Sequence, residues 1–247
     1  MYFYGGEERH SELRKAFQNV LTASGSALKL VMDEIDVLRQ PGFDVKNGDV
    51  QKLYLSSVRS GRWNLVIVSP PIGSFSRAAF AGHTPAKPLR DRNWPQGFPW
   101  LEGETLERAC CENRIMHFLI KILGYAASAS RHPWWHRTRG WLEHPEDLGS
   151  HVLGDPASLW QLSTVRELEE QGYKRSAFHQ CSLDDCGYAK PTGVLTTIPE
   201  WGNLKMVHSG WPNLELKAAF GDAIKHFHYE GPLPAGCGHH KVIYEKI

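Results

Sequence analysis

Four consecutive apolar residues, Leu65-Val66-Ile67-Val68, run without alternation into Ser69-Pro70-Pro71. A run of this kind predicts a central parallel strand covered on both faces, since a half-exposed strand alternates. The paired prolines remove backbone donors and hold the chain extended, so the strand has to stop there. Ligands in open α/β sheets bind just outside the carboxyl ends of such strands. A binding site is therefore expected at Ser69, Pro70, Pro71 and Ile72 before any relative is considered.

The flanking pattern extends this into a fold. Residues 1–4 read as a strand broken by Gly5-Gly6. Leu13, Ala16, Phe17, Val20 and Leu21 share one helical face, closed by Gly25. A second strand is expected at 28–32, ending in Asp33, Glu34 and Asp36. Asp49 is placed to cap a helix with the stripe Val50, Leu53, Tyr54 and Val58, ended by Gly61. With the run at 65–68 this gives β-α-β-α-β, the start of a doubly wound, Rossmann-like, mostly parallel sheet with helices on both faces. A long central helix at 106–123 and a strand at 141–143 follow. Asp155-Pro156 is expected to start a short helix, and Thr164 with Glu167 to box the next one. Weaker strands are expected at 176–181 and 194–198, and a last helical stripe runs from Leu216 to Phe227. No repeat or linker is visible, so 1–247 reads as one domain, with 199–247 as a C-terminal extension.

Residues 70–103 hold six prolines, four glycines and no period. So long a loop inside a domain is normally functional or disordered, and Phe75, Phe80, Trp94, Phe98 and Trp100 argue for packing. Ser76, Arg77, Arg90 and Arg92 interleaved with these aromatics suit a nucleic-acid backbone and stacked bases. The same aromatics equally suit a lid pinned to the sheet. A net charge of +1 means that any nucleic-acid surface must be local. No apolar run is long enough to span a membrane, no secretory signal is expected, and five cysteines, an odd number, favour a reduced, intracellular protein.

Strand ends supply the polar candidates. Tyr4, Gly5 and Gly6 follow the first strand, where glycines let a ligand approach the backbone. Asp36 follows the second, where a carboxylate can accept both hydroxyls of a ribose; a solvated acidic loop is the alternative. Asp44 stands where it can accept from an adenine amino group. No phosphate-binding glycine motif of the nucleotide-hydrolase type occurs. Cys181, Cys186, Cys237 and His239 offer a tetrahedral zinc set, against free cysteines and a surface histidine pair.

The segment from Ser69 to Arg77 resembles the Pro-Cys loop of DNA cytosine-5 methyltransferases, in which a Pro-Pro-Cys or Pro-Cys stretch leads to a Phe-Ser pair. Leu142-Glu143-His144-Pro145 resembles that family's Glu-Asn-Val segment, with His144 at the Asn position. The order of glycine turn, acidic strand end, Pro-Pro loop and Glu-containing strand also fits, over roughly residues 1–198. The resemblance implies a methyltransferase domain that binds S-adenosylmethionine through Tyr4, Gly5, Gly6, Asp36, Asp44 and Ser69. It implies DNA as the favoured partner and Glu143 as the carboxylate that holds the base. The nucleophile falls on Ile72, which has no thiolate to offer. Amino-group methylation through Ser69-Pro70-Pro71 is the alternative chemistry, provided that Phe75 supplies the aromatic platform missing at position 72. A non-catalytic module that binds the cofactor or nucleic acid is the further alternative.

Overall fold

The computed structural model describes residues 1–4, 13–80, 87–129, 138–151, 153–179 and 191–199. Within them the strands are β1 (Tyr2–Phe3), β2 (Glu34–Ile35), β3 (Leu65–Val68), β4 (Arg139–Pro145), β5 (Lys174–His179) and β6 (Pro191–Thr196). They form one mixed sheet in the order β2-β1-β3-β4-β6-β5. The first four are mutually parallel, and β6 runs antiparallel between β4 and β5. The helices are α1 (Leu13–Ala23), α2 (Gly48–Arg59), α3 (Gly103–Ala129) and α4 (Ser163–Glu170).

Register assigns the faces, because ladder partners share a side of the sheet. Phe3, Val68 and Leu142 are partners along one row, and Tyr2, Ile67 and Trp141 along the next. The Phe3 row faces helices: its ring meets Tyr54 of α2 edge-on at 5.6 Å and Phe118 of α3 at 5.7 Å. Leu119, Ile122 and Leu123 of α3 and Val165 and Leu168 of α4 complete that core. Val66, Ile67 and Val68 are all buried, as the unalternating run requires. α2, α3 and α4 therefore gather on one face. α1 buries none of its residues and is tied to the β2 margin by Arg14, whose Nε donates to Glu34 at 2.8 Å and Nη2 to the Met32 carbonyl at 2.7 Å.

Several local expectations are corrected. The strand expected at 28–32 pairs only at Glu34–Ile35, because β1 offers it just two residues. α2 is capped by Asn47, whose side chain accepts from the Asp49 amide at 2.8 Å. No helix starts at Asp155-Pro156; instead Ser158 and Gln161 form a capping box on a 3-10 turn, Leu159–Gln161, and α4 follows without a side-chain cap. The 70–103 stretch contains two 3-10 turns, Gly73–Phe75 and Arg77–Phe80. Among the described residues no helix is long and apolar enough to cross a membrane. The stripe at 216–227 lies outside them.

Candidate functional site at the carboxyl rim of the sheet

β1 lies between β2 and β3, so the chain runs to one side of β1 and then to the other. The fork between β1 and β3 opens at their carboxyl ends, the position where ligands enter sheets of this kind. Tyr4 is the first residue past β1. Its amide donates to the Ile35 carbonyl at 3.0 Å, and its φ of 62° makes it the one non-glycine residue with positive φ among those described. A tyrosine in that region costs about 1–3 kcal/mol and persists only where its surroundings impose it. Burial pushes the Tyr4 phenol well above its ordinary range, and the charges of Asp36 and Asp44 push it further in the same direction. Tyr4 and Asp36, both expected to hold a cofactor, thus stand at the ends of neighbouring strands, and the Asp44 charge reaches the same phenol.

The local folding of both acids is explicit. The Asp36 carbonyl accepts from the Arg39 and Gln40 amides at 3.0 and 3.1 Å, and its Oδ1 accepts from the Leu38 amide at 2.9 Å. This turn holds a carboxylate that is only 4% exposed at the end of β2. Asp44 accepts from the Lys46 amide through Oδ1 at 2.9 Å and pairs with Lys46 Nζ through Oδ2 at 3.4 Å. Gly5 and Gly6 lie outside the described residues.

Beyond β3, the Ser69 amide donates to the Phe3 carbonyl at 3.2 Å. Pro70 is buried, Pro71 is exposed, and half-buried Ile72 heads the turn at Gly73–Phe75. Gly73 has φ 47°, and a Cβ there would stand 2.6 Å from Glu112 Oε1, so only glycine suits both the backbone and the close approach. Ser74 fastens the turn to α3, with its amide 3.1 Å from Glu112 Oε2 and its hydroxyl bonded to the same oxygen.

Arg90, expected on a nucleic-acid surface, is instead wholly buried. Its Nε donates to Ser74 Oγ at 2.7 Å, and Nη1 donates to the Pro95 carbonyl and Asn113 Oδ1 at 2.7 and 2.9 Å. Nη2 pairs with Glu112 Oε2 at 3.4 Å, and the guanidinium lies 4.1 Å from the Phe75 ring centre. No face of it is left for a phosphate. Arg77 donates to the carbonyls of Gly149 and Ser150 at 2.6 Å each, and Arg92 pairs with Asp147 at 2.6 Å. Both keep partial exposure, as does Ser76. The loop is pinned to α3 and to residues 147–155, with the Arg92 amide adding a bond to the Asp155 carbonyl at 2.9 Å.

β4 brings the last candidate. Val68 and Leu142 are register partners, so Ser69 and Glu143 follow them onto the face away from α3. Tyr2 lies on that face too. Burial raises its phenol most; the neighbouring Ser69 side chain acts against this, and the Glu143 charge adds to it. Glu143 is half-buried and, among the described residues, makes no hydrogen bond or ion pair with its carboxylate. His144 points to the other face, 2% exposed, with its ring edge-on to Phe75 at 6.0 Å and to Trp160 at 6.4 Å. Phe75 is held between Arg90 and His144 and is 6% exposed, so it supplies no platform for a stacked base.

One element had no sequence signal. Glu146, directly after β4, is buried and accepts from Arg175 Nη2 of β5 at 2.6 Å. Arg175 covers the Trp160 ring at 4.1 Å, and Trp160 Nε1 donates to the Pro145 carbonyl at 2.8 Å. Burial pushes the Glu146 carboxyl up, and Arg175 opposes it. This clamp fixes the end of the strand that carries Glu143.

Cys181, Cys186, Cys237 and His239 lie outside the described residues, and among those described no group of three or more histidine, cysteine or acidic side chains is disposed to hold a metal. Comparison of the chain with protein-family models, with curated proteins and with solved structures finds no match.

Proposed function

We propose that this protein is an S-adenosylmethionine-binding, methyltransferase-like domain of the DNA cytosine-5 type that has lost covalent catalysis at Ile72. The observation that carries the reading is Tyr4 held against Ile35 at the ends of β1 and β2, next to Asp36, with Ser69 following the end of the adjoining β3 and Glu143 following Leu142 of β4. The parallel order β2-β1-β3-β4 supports a doubly wound, Rossmann-like sheet, in which the fork beside β1 is the ligand position.

The donor chemistry fits the cofactor. Asp36 directly follows β2, and a carboxylate there is the group that accepts the hydroxyls of a ribose. Asp44 receives an adenine amino group, and the turned backbone at Tyr4 shapes the edge between them. When bound, the cofactor supplies an electrophilic methyl group. Glu143 accepts from the exocyclic amino group of a base, the role left open by a carboxylate with no partner among the described residues. Ser76, Arg77 and Arg92, each half-exposed, are the loop residues that would face DNA, and buried Arg90 is not among them.

Ile72 bears no group that adds to a pyrimidine ring, so the protein binds with its nucleophile position silent. Buried Phe75 disfavours the amino-methylating alternative. Transfer of labelled methyl groups to DNA tests the chemistry. No transfer is expected from the native chain, and a measurable gain is expected from Ile72→Cys. Transfer by the native chain would overturn the assignment of a lost nucleophile.

A further inference from the structure

Among the described residues β2 is the last strand on its side of the sheet, so one row of its backbone groups has no strand beside it there. The Asp33 and Ile35 carbonyls turn inward, accepting from the Tyr2 and Tyr4 amides at 2.8 and 3.0 Å. Carried back from the pairing at Glu34–Ile35, strand alternation turns the backbone groups of Leu30, Met32 and Glu34 outward. Residues 26–33 take no helix, turn or bend. Among the described residues the Leu30 and Met32 amides donate no hydrogen bond. The Met32 carbonyl accepts from Arg14 and has a second lone pair to give. Leu28 and Val31 are 74% and 71% exposed, and Val37 and Leu38 beyond the strand are 46% and 63%. An apolar edge with unused backbone groups is a template for another strand.

The side chains select which strand. The segment reads Lys29-Leu30-Val31-Met32-Asp33, with opposite charges at equal distances from Val31. We propose that a second copy of this chain pairs here, antiparallel, about a two-fold axis at Val31. Outward-facing Leu30 then meets Met32 of the partner subunit as a hydrogen-bonded pair. Lys29 meets the partner's Asp33 twice over, in non-bonded pairs whose Cα atoms lie about 4.5 Å apart, where side chains are closest. Sliding the register by two residues loses both charge pairs, and parallel pairing sets Lys29 beside the partner's Lys29. Charge and backbone parity therefore agree on a single register.

Sedimentation equilibrium of the full chain from about 1 to 100 μM tests this. The native chain is expected to dimerise. Lys29→Asp and Asp33→Lys each turn two attractive pairs into repulsive ones and are expected to weaken the dimer about 30-fold. An equimolar mixture of the two variants restores both pairs and is expected to form a heterodimer as tight as the native dimer. A native chain that stays monomeric, as it would if another part of the chain covers this edge, overturns the proposal. So does a dimer that neither substitution weakens, or a mixture that fails to reassociate.

Discussion

Arg90 decides between a loop that binds nucleic acid and a loop that is bolted to the domain. Arg90→Ala removes a fully buried guanidinium and strands Ser74, the Pro95 carbonyl, Asn113 and Glu112. Breaking a buried ion pair from one side costs about 3–5 kcal/mol. Glu112 keeps Arg108 Nε at 3.2 Å and is 15% exposed, which favours the lower part of that range, about 3 kcal/mol. With a denaturant slope of about 2–3 kcal/mol/M, the urea midpoint falls by about 1–1.5 M. Adding Glu112→Gln to Arg90→Ala should cost less than the sum of the single changes, because the two share one network. DNA affinity per folded molecule is expected to change little. A midpoint shift below about 0.3 M, together with weakened DNA binding, would refute the buried network.

Three further outcomes follow from particular contacts. Gly193→Ala puts a Cβ 2.6 Å from Trp160 Cζ2 and 2.7 Å from Glu146 Oε2, so it is expected to cost about 1–3 kcal/mol by urea melting. Burial holds the phenols of Tyr2, Tyr4 and Tyr173 above their ordinary value. Above pH about 10 the unfolded chain therefore sheds phenolic protons that the folded chain keeps, and stability present below that pH is lost as pH rises. Tyrosinate absorbance should accordingly appear in step with unfolding for these groups, and early titration of all tyrosines would contradict it. Tyr4→Asn, a residue more tolerant of positive φ, should keep the fold while weakening the proposed cofactor binding; an unfolded variant would contradict strain in the tyrosine backbone there.

Much of the frame was legible in the residues. The unalternating run at 65–68 and the prolines after it marked a central strand and its end, since burial on both faces and missing donors are properties of local sequence. Gly25 and Gly61 ended their helices with φ near 64° and 71°. Asp36 and Asp44 were legible as strand-end acids, though their meeting with Tyr4 depends on β1 lying beside β2. Arg90 was misread because a charged residue in a loop is usually solvated, and its partners Glu112 and Asn113 lie a helix away. His144 was open to correction by parity alone: once Leu142 faces the core, His144 must follow it and Glu143 must not. The strand expected at 28–32 failed because its neighbour presents two residues, a limit set by pairing and not by propensity. The Glu146–Arg175 clamp joins a loop to a weakly patterned strand, and neither residue signals the other.

Calorimetric titration of the native chain with S-adenosylmethionine tests the central claim most directly. The expected result is one site per chain with a dissociation constant below about 100 μM, weakened at least about tenfold by Asp36→Ala through loss of charge-assisted hydrogen bonds. Absence of binding by the folded chain at about 5 mM cofactor, a concentration that would reveal even millimolar affinity, would contradict it.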